Sequence, residues 1–422
     1  MYTVCKKFYD EGMYKGMKKK VIAFAAAAVL LAPQMMGAEG FAIYEWSAEG
    51  LAMGGARMFA ENDAANLAFN PASITKVKGE AFKVSATYLS PHGKYDVDSV
   101  MGPESGHNRV HPAWAPGMYY VKQINDKEWF GMGTYSRFGM VSQFERNSIA
   151  GTNSFSAKLN GLSLAMNYAR KMDTKWSASL GAEINYVGLQ LDKNQFVSGL
   201  GKSPLHIEGE SYALGWNASA NYTFDDKNEM GLVYRSKINH SMEADYDVHN
   251  PAIPDFLSYG DAYGVVTLPE SIDLGYSHKF NDKTRIEARY TWTRWDRYDA
   301  LDLQFTGGAL NGPHPNAKNW SNGQRFALGL EHKFSEKYSG MLGYAHDKSS
   351  IPYDGGDFMI PTGTRTTYGI GAQYHDKKQT LAFSLAWMNV GCLDFRGGEL
   401  ITNVHTRDSY TKIASISYQR NF

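Results

Sequence analysis

Residues 215–224 read Gly-Trp-Asn-Ala-Ser-Ala-Asn-Tyr-Thr-Phe, an unbroken alternation of apolar and polar side chains. In an extended chain Trp216, Ala218, Ala220, Tyr222 and Phe224 share one face, and Asn217, Ser219, Asn221 and Thr223 share the other. A strand needs this pattern when one side meets hydrocarbon and the other meets water. The pattern recurs: Leu162, Leu164, Met166 and Tyr168 alternate with Ser163, Ala165 and Asn167. Ile286, Ala288, Tyr290 and Trp292 alternate in the same way with Glu287, Arg289, Thr291 and Thr293. The series continues to Phe422 and predicts an all-β transmembrane barrel.

Fourteen strands are expected after residue 80, near 81–90, 112–124, 128–145, 157–171, 175–191, 210–224 and 228–246, then 267–280, 283–302, 322–334, 338–348, 364–375, 379–395 and 408–422. A span of about nine to eleven tilted residues crosses a bilayer, and nearly all of these qualify. Short connections rich in Asn, Asp and Lys, such as Asn125-Asp126-Lys127 and Asp225-Asp226-Lys227, alternate with long ones near 91–111, 146–156, 192–209, 247–266, 303–321, 349–363 and 396–407. Tight periplasmic turns and long outer loops are the asymmetry of outer-membrane barrels. An open edge in lipid would leave backbone groups unpaired at several kcal/mol each, so an antiparallel sheet with an even strand count closes first strand on last.

Mean hydropathy is −0.41, which on its own would fit a soluble chain. A barrel escapes that test because half of every strand is polar. Lys plus Arg and Asp plus Glu balance at 43 each, which argues against a nucleic-acid surface. The one continuously apolar run is Val21 to Ala32, preceded by Met17-Lys18-Lys19-Lys20 and followed by small residues to Ala38. It reads as residues 1–38 forming an N-terminal extension and signal peptide, cleaved after Ala38 and too short to span a bilayer. The expected location is therefore the bacterial outer membrane. With Cys5 upstream, the mature chain keeps Cys392 alone, so no intrachain disulfide is expected.

At the other end Tyr410, Ala414, Ile416, Tyr418 and Phe422 share one face, with Arg420 at the rim. This resembles the terminal signal through which the barrel assembly machinery recognises outer-membrane proteins. Residues 39–80 differ in character: Leu51 to Ala56, Ala64 to Phe69 and Asn70-Pro71-Ala72 are small, mixed and turn-bearing, without alternation. Such a segment either hangs in the periplasm or fills the lumen. The plug is the favoured reading, with residues 81–422 as the barrel.

These stretches resemble the FadL/TodX family of long-chain fatty acid and hydrocarbon transporters of Gram-negative outer membranes. Gly40-Phe41, Glu61 to Asn66 and Asn70-Pro71-Ala72 look like that family's hatch. Ala113 to Met118, Gly215 to Ala218, Tyr234-Arg235-Ser236, Leu268-Pro269-Glu270 and Arg325 to Gly329 match further family stretches, in order, over essentially the whole mature chain. The resemblance implies fourteen strands, a luminal hatch that includes Phe41, Asn70, Pro71 and Ala72, an outer hydrophobic groove, and a kinked third strand that opens the wall sideways. Phe138 and Gly139 fall at the kink, and a glycine inside a strand often marks a bend. Two departures stand out. The loop at 192–209 is short, and the positions where fatty-acid-importing relatives meet the substrate carboxylate with cations hold Gln195 and Ser321. Lys193, Lys318 and Arg325 are the candidate replacements.

Enzymatic chemistry is not expected. Ser277 and His278 are adjacent on a strand and point to opposite faces, and there is no G-x-S-x-G elbow. The twelve His residues show no metal-ligating spacing, so neither metal nor cofactor is expected. The expected function is passive uptake of hydrophobic small molecules, with outer-membrane lipids as neighbours. A non-selective pore and a surface adhesin or structural barrel are the alternatives.

Overall fold

The computed structural model describes residues 40–197, 201–298 and 300–422. The expected leader and its cleavage site lie outside them. Among the described residues fourteen antiparallel staves form one sheet. They are β1 (Glu80–Ser99), β2 (Ala113–Asn125), β3 (Glu128–Tyr135 and Gly139–Gln143), β4 (Ser156–Lys171) and β5 (Trp176–Val197). Next come β6 (Gly201–Thr223), β7 (Asn228–Arg235 and Ile238–Val248), β8 (Tyr259–Leu268 and Ser271–Lys279) and β9 (Thr284–Thr293). β10 (Gly323–Lys333), β11 (Tyr338–Lys348), β12 (Arg365–His375), β13 (Gln379–Val390) and β14 (Ile401–Asn421) complete the wall. β1 pairs with β14 from Ala81 opposite Asn421 to Ser99 opposite Ile401, so the sheet closes on itself.

The alternation sorts the two faces as hydrocarbon and water require. Trp216 is 49% exposed on the outer face and its neighbour Asn217 is 1% exposed on the inner one. The lumen carries Ser219, Asn221, Asp273, Glu287, Arg289 and Glu331, all buried. Leu232, Leu342, Ile370, Leu385 and Ile416 face outward.

Several expected boundaries need correction. The connection expected at 192–209 is mostly strand: β5 and β6 stay paired from Asp192 opposite His206 to Val197 opposite Gly201. Its polar composition disguised an inward row of Leu189, Leu191, Leu205 and Ile207, all buried, which keeps the ladder in register. β1 likewise runs on to Ser99, into the segment expected as loop, with a return strand at Glu104–His107. The strand expected at 267–280 is the lower part of a longer stave that begins at Tyr259 and breaks at Pro269-Glu270, where proline lacks an N–H for the ladder. β9 stops at Thr293, short of the expected 302, and gives way to a single turn at Trp295–Arg297.

The six short connections share one device. The first residue of each turn accepts the backbone N–H of the third: Asn125 from Lys127 at 2.9 Å, Asp173 from Lys175 at 2.7 Å and Asp225 from Lys227 at 2.8 Å. Asn281, Ser335 and Asp376 do the same for Lys283, Lys337 and Lys378. These side-chain caps mimic a backbone turn and set the hairpin register. The N–H groups they accept hold the Asp173, Asp225 and Asp376 carboxyls below the usual carboxylate range.

Residues 40–77 are almost wholly buried and run against the inward face of the wall. They include two short helices, α1 (Ala48–Ala52, capped by Ser47) and α2 (Asn66–Phe69), and a tight turn at Pro71–Lys76. Wall side chains satisfy their backbone: Ser417 accepts from Ala48 N at 2.8 Å, Glu287 from Met58 N at 2.6 Å, and Gln419 from Ala64 N at 2.9 Å. Asn70 donates to Asn221 at 2.6 Å and Ala72 N to Ser219 at 2.8 Å, which places the Asn-Pro-Ala turn against β6. Buried charges are paired as burial demands. Lys83 bridges Glu49 and Asp63 at 2.9 and 2.8 Å, and Arg57 meets Asp63 and Glu331 at 3.1 and 3.2 Å. Gly343 and Gly369 sit where the wall touches the backbone of residues 51–54, leaving no room for a Cβ. A chain lacking residues 40–77 is expected to show a severalfold higher single-channel conductance in planar bilayers. Equal conductance of the truncated and full-length proteins would show that this segment does not obstruct the lumen.

Candidate binding chamber and wall break

The wall is not continuous. β2 and β3 pair from Asn125 opposite Glu128 to Met118 opposite Thr134, and there the pairing stops. Above that point Gly139–Gln143 of β3 pairs with β4, whereas Ala113–Gly117 of β2 keeps β1 as its partner. Among the described residues no backbone pairing joins Ala113–Gly117 to β3. Contact resumes at the top, where Arg109 N donates to Gln143 O at 2.7 Å. Pro116 lies on this edge, a position that tolerates a residue without an N–H. On the β4 side Tyr135 faces Ser163 and Gly139 faces Asn160, so three residues, Ser136–Phe138, stand against two. That extra residue is a bulge, which bends the strand and frees its ladder groups.

The N-terminal segment takes up those freed groups. Ile43 N donates to Arg137 O at 2.8 Å, Gly139 N donates to Phe41 O at 2.9 Å, and Ala42 lies opposite Phe138 as an antiparallel bridge. The Trp46 indole donates to Ser136 O at 2.6 Å. Phe41, Phe138 and Gly139, singled out in the sequence, thus meet at one place. Ile43 and Trp46 join them without having been singled out, although both lie in the stretch that opens with Gly40-Phe41. The Phe41 ring stands edge-on to Trp295 at 4.8 Å, Tyr298 at 5.2 Å, Phe138 at 5.9 Å and Trp320 at 6.2 Å. Gly40 must be glycine here: its φ is +66° and a Cβ would collide with Trp320.

Below this aromatic socket a row of arginines grips the segment. Arg289 donates to Gly55 O at 3.0 Å, Arg235 to Ala68 O, and Arg325 to Gly54 O. Asp273 lies between Arg235 and Arg289 at 2.6 and 2.8 Å, and Asp347 meets Arg325 at 2.8 Å. The Arg325 guanidinium lies 4.4 Å from the Tyr44 ring centroid. Arg325, a candidate carboxylate anchor, is therefore engaged with the segment. The alternation placed Arg289 on the polar face but did not say what it holds.

Above the socket lies an apolar chamber of about 70 Å³, walled by Met140, Val141, Phe144, Phe358, Met359, Ile360 and Val390, with Gly40 and Arg365 at its edge. Arg365 donates to Gly40 O at 3.3 Å. Beside it an open cavity of about 660 Å³ brings together three of the sequence candidates, Lys193, Gln195 and Lys318, with Leu191, Ile207, Leu303 and Phe305. Met359 lines both spaces. Lys318 is buried and ion-paired with Asp357. Lys193 sits above the membrane-spanning part of β5 and has no carboxylate partner among the described residues; burial and then the Lys318 charge push its ammonium pKa down. Ser321 bonds instead to Ser350 O at 3.2 Å, in neither space. The chamber walls at Phe358–Ile360 come from a long loop whose sequence carries no periodic signal. Ser277 is buried in the lumen, whereas His278, on the next position, contacts Asn228 at 2.8 Å.

Comparison with known proteins places this architecture. The sequence profile described as "Outer membrane protein transport protein (OMPP1/FadL/TodX)" matches residues 29–391. A long-chain fatty acid transport protein of Escherichia coli is 26% identical over 420 residues, covering 89% of this chain and 92% of its own length. Among solved structures, a Pseudomonas aeruginosa FadL homologue superposes with a TM-score of 0.81 at 18% identity, covering 91% of this chain and 100% of that one. The Ralstonia pickettii toluene transporter TbuX gives 0.69 at 17% identity, covering 90% and 100%. With a closed fourteen-strand barrel and a profile match over most of its length, the chain belongs to the OMPP1/FadL/TodX family of outer-membrane transport proteins.

Proposed function

We propose that this protein carries hydrophobic small molecules, long-chain fatty acids or hydrocarbons, passively across the outer membrane. In this reading residues 39–80 act as a hatch, and the break at Phe138 and Gly139 is a lateral exit into lipid. One observation carries it: the apolar chamber and the gap between β2 and β3 converge on the same short stretch, Gly40 to Ile43. The names of the Escherichia coli relative and of the toluene transporter agree with a greasy cargo.

The energetics fit a hatch that cargo displaces. Burial supplies about 0.8 kcal/mol per methylene, so a ten-carbon tail gains roughly 8 kcal/mol before ordering costs. Exposing one Phe side chain costs about 1.5–3 kcal/mol. Cargo entering the chamber can therefore outweigh the seating of Phe41 in its aromatic socket. Once Phe41 and Ile43 leave, Arg137 O and Gly139 N lose their partners, and the bulge becomes the weakest point of the wall. No nucleotide-binding motif accompanies this arrangement, so flux follows the gradient. A filled lumen does not favour a non-selective pore.

Two outcomes are expected. Gly139→Val should lower uptake of a radiolabelled hydrophobic substrate at least severalfold while heat-modified gel migration stays normal. The side chain favours a regular strand at the position whose N–H donates to Phe41 O. Uptake at the unaltered level, with normal surface expression, would remove Gly139 from the mechanism. The second concerns charge. Lys318 and Arg325 are already neutralised, and Lys193 stands beside a second cation, so binding should differ little between a fatty acid and its matching alcohol. A charge-assisted hydrogen bond to the acid would bring about 1.5–3 kcal/mol, a preference of roughly tenfold to over a hundredfold. Competition binding that finds such a preference, lost in Lys193→Ala, would make Lys193 the anchor.

A further inference from the structure

Four of the short turns share a sequence form that the hairpin itself does not require. They read Ile124-Asn125-Asp126-Lys127, Phe224-Asp225-Asp226-Lys227, Phe280-Asn281-Asp282-Lys283 and Phe334-Ser335-Glu336-Lys337. The second residue of each is the cap that makes the turn. The cap takes the backbone N–H of the fourth residue, and the side chains of the other three have no part in it. The first is a large apolar side chain, between 46 and 69% exposed, at the end of a stave. The third and fourth are an adjacent carboxylate and ammonium, both exposed. Among the described residues none of these eight charged side chains enters a hydrogen bond or ion pair with the protein, whereas nearly every charge in the lumen is paired.

An apolar side chain at the end of a stave belongs at the edge of the hydrocarbon, which puts the turn that follows it at the level of the lipid headgroups. The carboxylate and the ammonium are then held side by side at that level. Three of the turns are neutral as a whole, the fourth carries the extra capping carboxylate of Asp225, and each displays both signs of charge side by side. A purely anionic headgroup would be attracted by the lysine and repelled by the neighbouring acid. A headgroup that itself carries a phosphate and a primary ammonium, joined by an ethanolamine linker, matches both. We propose that these four turns form a belt that binds the zwitterionic phosphoethanolamine headgroups of the leaflet at the short-turn end of the barrel, with lysine on phosphate and carboxylate on ammonium. The primary ammonium matters because it donates hydrogen bonds, which the quaternary ammonium of choline cannot do.

The test is lipid selectivity of the full-length barrel in phosphatidylcholine vesicles, read from the motionally restricted fraction of nitroxide-labelled phosphatidylethanolamine, phosphatidylcholine and phosphatidylglycerol. The unaltered protein is expected to prefer phosphatidylethanolamine over phosphatidylcholine by about two- to fivefold, the range of exposed ion pairs. The quadruple variant Asp126→Asn, Asp226→Asn, Asp282→Asn and Glu336→Gln should lose that preference and gain one for phosphatidylglycerol. Changing Lys127, Lys227, Lys283 and Lys337 to Gln should abolish both. Heat-modified gel migration confirms that each variant is folded. Equal fractions for phosphatidylethanolamine and phosphatidylcholine in the unaltered protein would overturn the proposal, as would a preference that survives the acid substitutions. A stronger preference for phosphatidylglycerol in the unaltered protein would also overturn it, by assigning the lysines to anionic lipid.

Discussion

Everything in this barrel depends on one requirement: a backbone N–H or C=O facing hydrocarbon must be hydrogen-bonded within the protein. The requirement closes β1 on β14 and keeps the alternation strict along the staves. It also explains why the wall can break at only one kind of place. Between β2 and β3 the ladder is interrupted, and the exposed groups of Ser136, Arg137 and Gly139 are met from inside by Trp46, Ile43 and Phe41. The N-terminal segment thus serves as a partial replacement strand. A gap that would otherwise cost several kcal/mol per group is stable while the segment stays in place.

The segment in turn is held by polar contacts rather than by greasy packing alone. Arginines on β7, β9 and β10 donate to carbonyls of residues 54–68, and carboxylates between them balance the charge. Such contacts are directional, and water can replace them. Burying Phe41 among aromatic rings is the opposite kind of contact, indifferent to direction and answerable to any apolar competitor. The lower part of the segment is therefore locked against hydrocarbon cargo, while its leading residues are exposed to competition from it.

How much of this could be read from the chain differs by level. Period-two alternation reports a face directly, so the strands, the polar face that carries Arg289 and the barrel class were legible. The Asn, Asp and Ser residues marked all six short turns, and Gly139, singled out through the family resemblance, borders the bulge at Ser136–Phe138. Composition misled at 192–209, where Asp192, Lys193, Asn194 and Gln195 suggest a loop but Leu189, Leu191, Leu205 and Ile207 keep the ladder going. What alternation cannot report is the partner across the lumen. Nothing in Arg289 foretells Gly55, and nothing in Trp46 foretells Ser136, because both contacts join residues far apart in sequence. The chamber walls at Phe358–Ile360 escape for a related reason: a loop has no period to read.

The last stave does two jobs at once. β14 seals the sheet against β1 through Phe422 N on Glu80 O at 2.8 Å, and its inward side chains Ser417 and Gln419 hold Ala48 and Ala64. One of the first parts of the described chain is thereby bound by one of its last. The contacts that hold the contents are complete only once the closing stave is in place, so the seam and the filling of the lumen are coupled. A nascent chain stalled before Ser417 would possess every contact for its inner segment except those that shut it in.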